Sequence, residues 1–293
     1  MGRLTKIQLL QHNRKKIIDT LDKSGKNVFL LSDLSVILEF NKRIWGIAST
    51  TKAEDFINFL VGKKIIDEVE VKINYRDTKR YTYKNASKFE IASSLRKDSY
   101  ISHYSAMFIH GLTNNIVKNI YTNLEQSKKP SNSREMLQEN IDKAFSRPMR
   151  LTNNIAKLPE FDVYLLNGKY LERLEVIDYS WEGKKIPVTS IERTLIDIAI
   201  RPNYSGNVYE VLKAFKMAKD KFSVNRLMLT LKKMNYIYPY HQVIGFYLEK
   251  AGYEKNLLKL VENLKIKYKF YLNYQINNKE FSTRWNLYYP GDL

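Results

Sequence analysis

Residues 51–83 read TKAEDFINFLVGKKIIDEVEVKINYRDTKRYTY, and the spacing of their apolar positions changes midway. Ala53, Phe56, Ile57 and Leu60 fall at i, i+3, i+4 and i+7, the signature of one buried helix face. Thr51-Lys-Ala-Glu54 fits a capping box at the start of that helix, and Gly62 stops it. Beyond the glycine, Val69, Val71 and Ile73 alternate with Glu68, Glu70 and Lys72, which is the two-residue period of a strand. A polar turn over 74–78 and a second strand over 80–84 complete a basic hairpin.

Upstream, Ile7, Leu10, Ile17 and Leu21 recur at helical spacing and predict a first helix, closed by a turn at 23–26. Ser32 is a good N-cap for a second helix that buries Leu34, Ile37 and Leu38. Three helices followed by a basic hairpin is the order of a winged helix-turn-helix, which we assign to residues 1–90. Residues 85–98 read as a connector. The remainder, 97–293, is a larger mixed α/β domain rich in helices, so the expected fold class is α+β. Strands are expected near 119–124, 160–166, 170–179 and 185–189, and helices over 190–200, 207–218, 223–233, 240–251 and 254–265. A late strand is expected near 266–274.

Charge bounds the partners. The chain of 293 residues carries 49 Lys and Arg against 31 Asp and Glu, a net charge of +18, with a pI of about 9.6. An excess of that size, spread over both halves, favours polyanions. There is no cysteine, which excludes disulfides, thiolate catalysis and Cys-based metal sites and suits a reducing cytosol. No stretch of about 18 apolar residues runs uninterrupted, and MGRLTKIQLLQHNRKK lacks the apolar core of a signal peptide. The expectation is a cytoplasmic protein with no membrane partner.

A winged helix lays its third helix in the major groove of double-stranded DNA and its hairpin on the backbone or minor groove. The outward face of that helix carries Thr51, Asp55 and Asn58, with Lys52 on its flank. Asn58 has the chemistry to bond adenine bidentately, and Thr51 to meet a thymine methyl, whereas Asp55 would suit only a cytosine amino group. Lys42, Arg43, Lys63 and Lys64 bracket the helix, and Lys72, Arg76, Lys79 and Arg80 lie on the hairpin. These cations would supply salt-dependent phosphate affinity rather than sequence readout.

Three constellations could carry chemistry. His103 and His110 share a helix over 102–110, but seven residues place them about 10 Å apart along its axis, whereas paired ligands sit at i, i+4. With no third ligand nearby, we read no metal site: Ser102 caps the helix and both histidines bond locally. Asp162 with Glu182-Gly-Lys184 resembles the acid and Glu-x-Lys set of magnesium nucleases. Glu182 and Gly183 instead read as an exposed hairpin tip, where nuclease carboxylates do not sit. Arg193 and Asp197 form an i, i+4 pair that reads as a helix-surface or interdomain ion pair. No phosphate loop, catalytic triad or dinucleotide fingerprint occurs, so neither a cofactor nor catalysis is expected.

Three segments carry a resemblance: SYISHYSAMFIHGLT at 99–113, IPVTSIERTLIDIAIRP at 186–202 and YPYHQVIGFYLEKAGY at 238–253. In that order they resemble the AbiEi family, antitoxins of bacterial abortive-infection (phage-defence) systems classed as type IV toxin–antitoxin pairs. The resemblance implies a DNA-binding antitoxin that autorepresses its operon as a transcriptional repressor at promoter repeats. It implies opposition to a co-encoded nucleotidyltransferase-like toxin without a stable complex, and it assigns antitoxicity to the C-terminal domain. Two rivals stand beside it: an antitoxin acting by direct protein contact, and a metal-dependent nuclease. The stretch 128–149 departs from the family pattern, with an apolar stripe of Met136, Leu137, Ile141 and Phe145 whose role the residues leave open.

Overall fold

A computed structural model describes residues 4–74, 76–128 and 136–293. It is a mixed helix-and-strand protein of the α+β class. The chain divides into two compact units: residues 1–97 with 154–163, and residues 98–153 with 164–293. The first unit therefore extends past residue 90 and takes a segment from the middle of the chain.

In the first unit, the helix expected around Ile7–Leu21 is two helices, α1 (Lys6–His12) and α2 (Arg14–Lys23). Asn13 separates them; its buried amide donates to the Leu9 carbonyl at 2.9 Å and to the Trp45 carbonyl at 2.6 Å. A short strand β1 (Val28–Phe29) precedes α3 (Leu31–Asn41), which begins before Ser32: Asp33 accepts the Leu30 amide at 2.9 Å. Next come α4 (Ala53–Gly62), β2 (Ile66–Ile73) and β3 (Arg76–Tyr83). Phe56, Ile57, Phe59 and Leu60 of α4 join Leu34, Leu38, Trp45, Tyr81 and Tyr83 in one core.

The hairpin is tighter than expected. Ile73 pairs with Arg76, so the turn takes two residues, with Asn74 at φ 52°, and β3 starts four residues early. The expected connector contains α5 (Lys88–Ser94), capped reciprocally by Ser87 and Glu90. From mid-chain, β6 (Ile155–Lys157) pairs antiparallel with β2, giving the unit the strand order β1–β3–β2–β6.

The second unit begins with β4 (Tyr100–Ile101), α6 (His103–Ile109) and β5 (Ile120–Glu125). Of the 128–149 stretch, residues 129–135 lie outside the described residues; the rest holds α7 (Gln138–Phe145), a packing element whose Ile141 and Phe145 are buried. Strands β7 (Asp162–Gly168), β8 (Val176–Trp181) and β9 (Lys184–Thr189) complete a sheet ordered β7–β5–β4–β9–β8. Helices α8 (Ile191–Ile200), α9 (Val208–Met217), α10 (Val224–Met234), α11 (Tyr240–Lys250) and α12 (Lys255–Glu262) follow. Strands β10 (Phe270–Tyr271), β11 (Lys279–Ser282) and β12 (Leu287–Pro290) form a small sheet.

Helix α8 is the hub: α6, α9, α10 and α11 all pack on it, and Glu192 through Ala199 are buried. Arg193 and Asp197 are thus not a surface pair. Their contact, 2.9 Å, lies inside the unit with side chains 2% and 6% exposed. Gly245 of α11 is required by close packing, since a Cβ there would come within 2.2 Å of the buried Trp285 ring.

Candidate nucleic-acid interface

The residues assigned to DNA all lie in the first unit. Helix α4 begins one residue later than the sequence implied. Lys52 is its N-cap, and its amide donates to Asp55 Oδ2 at 2.9 Å. The Lys6 ammonium meets the same oxygen at 2.9 Å. Together the Lys52 amide and Lys6 hold the Asp55 carboxyl below its usual range. Asp55 is therefore a capping residue with a cation on it. Thr51, released from capping, is 1% exposed and unavailable to a base.

What remains outward on α4 is Asn58, with Glu54 and Lys52 toward the N-terminus and Lys63 and Lys64 beyond the C-terminus. Asn58 also lines a groove of about 590 Å³ against α1, shared with Lys6, Ile7 and Phe59. Arg43 is exposed on the connection between α3 and α4. Lys42 is half-buried and engaged by Glu39 at 2.6 Å.

The hairpin sorts its charges by register. Residues directly opposite one another on paired strands share a face. Val69 pairs with Arg80, Val71 with Thr78 and Ile73 with Arg76, so Arg80 shares the face of the valines. It is 5% exposed, and burial lowers its pKa. Its guanidinium donates to Ser94 Oγ and to the Ser94 and Leu95 carbonyls, a brace between hairpin and α5 rather than a phosphate contact. On the opposite face, Lys79 is engaged by Glu68 at 2.7 Å. Lys72 faces Asp77 on β3 and Lys157 on β6. Lys157 was missed in the sequence because three residues of strand carry no periodic signal.

Of the assigned cations, Arg43, Lys63, Lys64, Lys72 and Arg76 are exposed and have no acidic partner within ion-pair distance among the described residues. Lys72 thus stands between a like charge, Lys157, and an opposite one, Asp77, on its two neighbouring strands. The first unit thus carries exposed positive charge on several elements, with Asn58 the exposed amide of α4.

Elsewhere, Glu182 and Gly183 form the two-residue turn between β8 and β9, at φ 48° and 77°, while Asp162 belongs to the first unit. Ser102 is the N-cap residue of α6 as expected, but its side chain makes no capping bond; its hydroxyl lies 2.9 Å from His103 Nδ1. His110 Nε2 donates to the Thr189 carbonyl at 2.6 Å. Among the described residues no group of three or more His, Asp or Glu side chains is gathered to hold a metal ion. No described helix is long and apolar enough to cross a membrane.

No family model matches the chain, and no curated protein matches it. Among solved structures, the RV2827C protein from Mycobacterium tuberculosis is similar in fold, with a TM-score of 0.60 at 12% identity over 94% of this chain and 90% of that one.

Proposed function

We propose that the first unit is a winged helix-turn-helix that binds double-stranded promoter DNA, and that the chain is an AbiEi-type antitoxin repressing its own operon. The observation that carries this reading is the set of exposed cations without an ion-pair partner among the described residues, Arg43, Lys63 and Lys64 beside α4 and Lys72 and Arg76 on the hairpin. The element order supports it, with α3 and α4 as the helical pair and β2–β3 as the wing. The family resemblance is supported by packing: α6, α8 and α11, which carry the three resembling segments, lie together in the core of the second unit. In this reading the second unit opposes a co-encoded nucleotidyltransferase-like toxin in the cytoplasm, without a stable complex and without catalysis by this chain.

The test is titration of the full chain against its own upstream promoter and a scrambled duplex at several salt concentrations. Sequence-preferring binding with a steep salt slope is the expected result. Equal affinity for both duplexes at every salt refutes the repressor.

A second reading, direct contact with a protein partner, is favoured by one observation. Val36 and Phe40 stand one helical turn apart on α3 and, with Ile44, are 53%, 79% and 69% exposed. Co-purification of toxin, abolished by Phe40→Asp with promoter binding retained, would establish it.

A further inference from the structure

The second unit contains a cavity of about 410 Å³, within the ~300–1,000 Å³ range of small-molecule sites. One wall is a stripe of α8 and its C-cap: Arg193, Asp197 and Arg201 recur every four residues and so share a helix face. His103 of α6 and Tyr240 of α11 contribute from other elements. Each of the three segments singled out in the sequence thus reaches this one cavity.

Its polar groups are unevenly satisfied. Arg193 donates Nε–H to Asp197 Oδ1 at 2.9 Å and Nη1–H to the Leu174 carbonyl at 3.0 Å. Asp197 Oδ2, equally buried, accepts no hydrogen bond. Asn123, 3% exposed, gives its amide to the Tyr100 hydroxyl at 2.7 Å, and its Oδ1 also lacks a donor. Among the cations, Lys169 is committed: it donates to the Met234 and Asn235 carbonyls at 2.8 and 2.6 Å and lies over the Tyr236 ring. Arg201 and Arg150 line the same cavity, and neither side chain has a hydrogen-bond or ion-pair partner among the described residues. Burial, with Arg201 and Arg193 nearby, pushes the His103 imidazole well down, so it adds no positive charge.

The cavity therefore offers guanidiniums for an anion, a polar lining for hydrogen bonds, and tyrosine rings for a flat or apolar surface. Inorganic phosphate answers only the first of these, and an apolar ligand only the third. A nucleoside phosphate answers all three, because arginine recognises phosphate and aromatic rings stack on bases.

We propose that this cavity binds a nucleoside phosphate, its phosphate on Arg201 and Arg150 and its base against the tyrosine rings. The same chemistry is presented by a free mononucleotide and by the phosphorylated end of a nucleic-acid strand. Both are probed by calorimetric titration of the full chain with AMP, GMP, CMP, UMP, inorganic phosphate, and a trinucleotide with and without its 5′-phosphate. Binding of a mononucleotide or of the phosphorylated trinucleotide, weakened tenfold or more by Arg201→Ala, is the expected result. Which of the two binds more tightly identifies the source. Because the Arg201 side chain makes no hydrogen bond or ion pair among the described residues, the variant is expected to stay folded, which its melting profile checks; Arg201→Gln, which retains the stem, gives a second check. The proposal is overturned if no probe binds at millimolar concentration, if both Arg201 variants bind as wild type, or if no nucleotide binds more tightly than inorganic phosphate. Promoter binding, measured on the same samples and lowered by Arg76→Ala, stands or falls independently.

Discussion

Arg80 and Arg76 are four residues apart on one strand, yet their substitutions should fail in opposite ways. Arg80 makes five hydrogen bonds: to Ser94 Oγ, Thr78 Oγ1, and the carbonyls of Lys79, Ser94 and Leu95, at 2.8–3.3 Å. At about 1 kcal/mol net each, Arg80→Ala forfeits roughly 3–5 kcal/mol. Water entering the opened space returns part, leaving a cost of about 2–4 kcal/mol. For a unit of this size each kcal/mol moves the midpoint by about 4–8 °C, so melting should drop by on the order of 10 °C or more. The salt slope of promoter binding, measured well below the new midpoint, should not change. Arg76→Ala should do the reverse: stability within about 0.5 kcal/mol of wild type and a slope reduced by about 0.9. Thermal unfolding and promoter titrations at three salt concentrations decide it. If Arg80→Ala melts like wild type and lowers the slope by about 0.9, the brace is wrong and Arg80 touches phosphate.

Asp55→Ala should destabilise the first unit at neutral pH. The folded carboxyl is held low by the Lys52 amide and Lys6, so its contribution is present above the unfolded pKa and disappears as pH falls through the folded one. Urea midpoints for variant and wild type should therefore converge in strong acid, and a constant difference would refute the cap. His103, His110 and His241 are each pushed down by burial. The unfolded chain then takes up protons first, and stability, complete above about pH 6.5, should fall as pH drops below it. His103→Gln should make that decline shallower; a flat profile from pH 7.5 to 5 contradicts the assignment. Gly245→Ala should cost about 3 kcal/mol in chemical unfolding through overpacking, because the new methyl meets the Trp285 ring. A variant as stable as wild type would show that this contact relaxes freely.

The helices of the second unit were legible because local chemistry marks both their faces and their starts. Ser190, Asn207 and Ser223 each accept a backbone amide at the first turn of α8, α9 and α10, as their residue types imply. The hairpin was legible as a hairpin but not in register. A polar run over 74–78 reads as a long turn, whereas Asn74 adopts positive φ and permits a two-residue one. That difference matters for every side chain on β3: with the short turn, position 80 falls opposite Val69 and goes inside. Helix α5 had its capping box, Ser87-Lys-Phe-Glu90, in plain view within a stretch that otherwise reads as linker. Strand β6 had no local signal, since its pairing with β2 joins residues some eighty positions apart and spans two registered pairs.

The ion pair of α8 shows how composition around a motif can outweigh the motif. Arg193 and Asp197 at i, i+4 match the spacing of a surface pair, and on that spacing alone they belong in solvent. Yet Leu195, Ile196, Ile198 and Ala199 surround them, and apolar residues on every side leave a helix no face for water. Such a helix is buried whole, and its charges go in with it. A buried pair costs desolvation that a well-packed apolar pair of similar volume avoids. Packing therefore does not account for Arg193 and Asp197, and still less for Asp197 Oδ2, which is buried without a donor. Their position on the wall of the proposed nucleotide cavity gives them a role there: Arg193 and Asp197 stand two turns and one turn before Arg201 on the stripe that lines it.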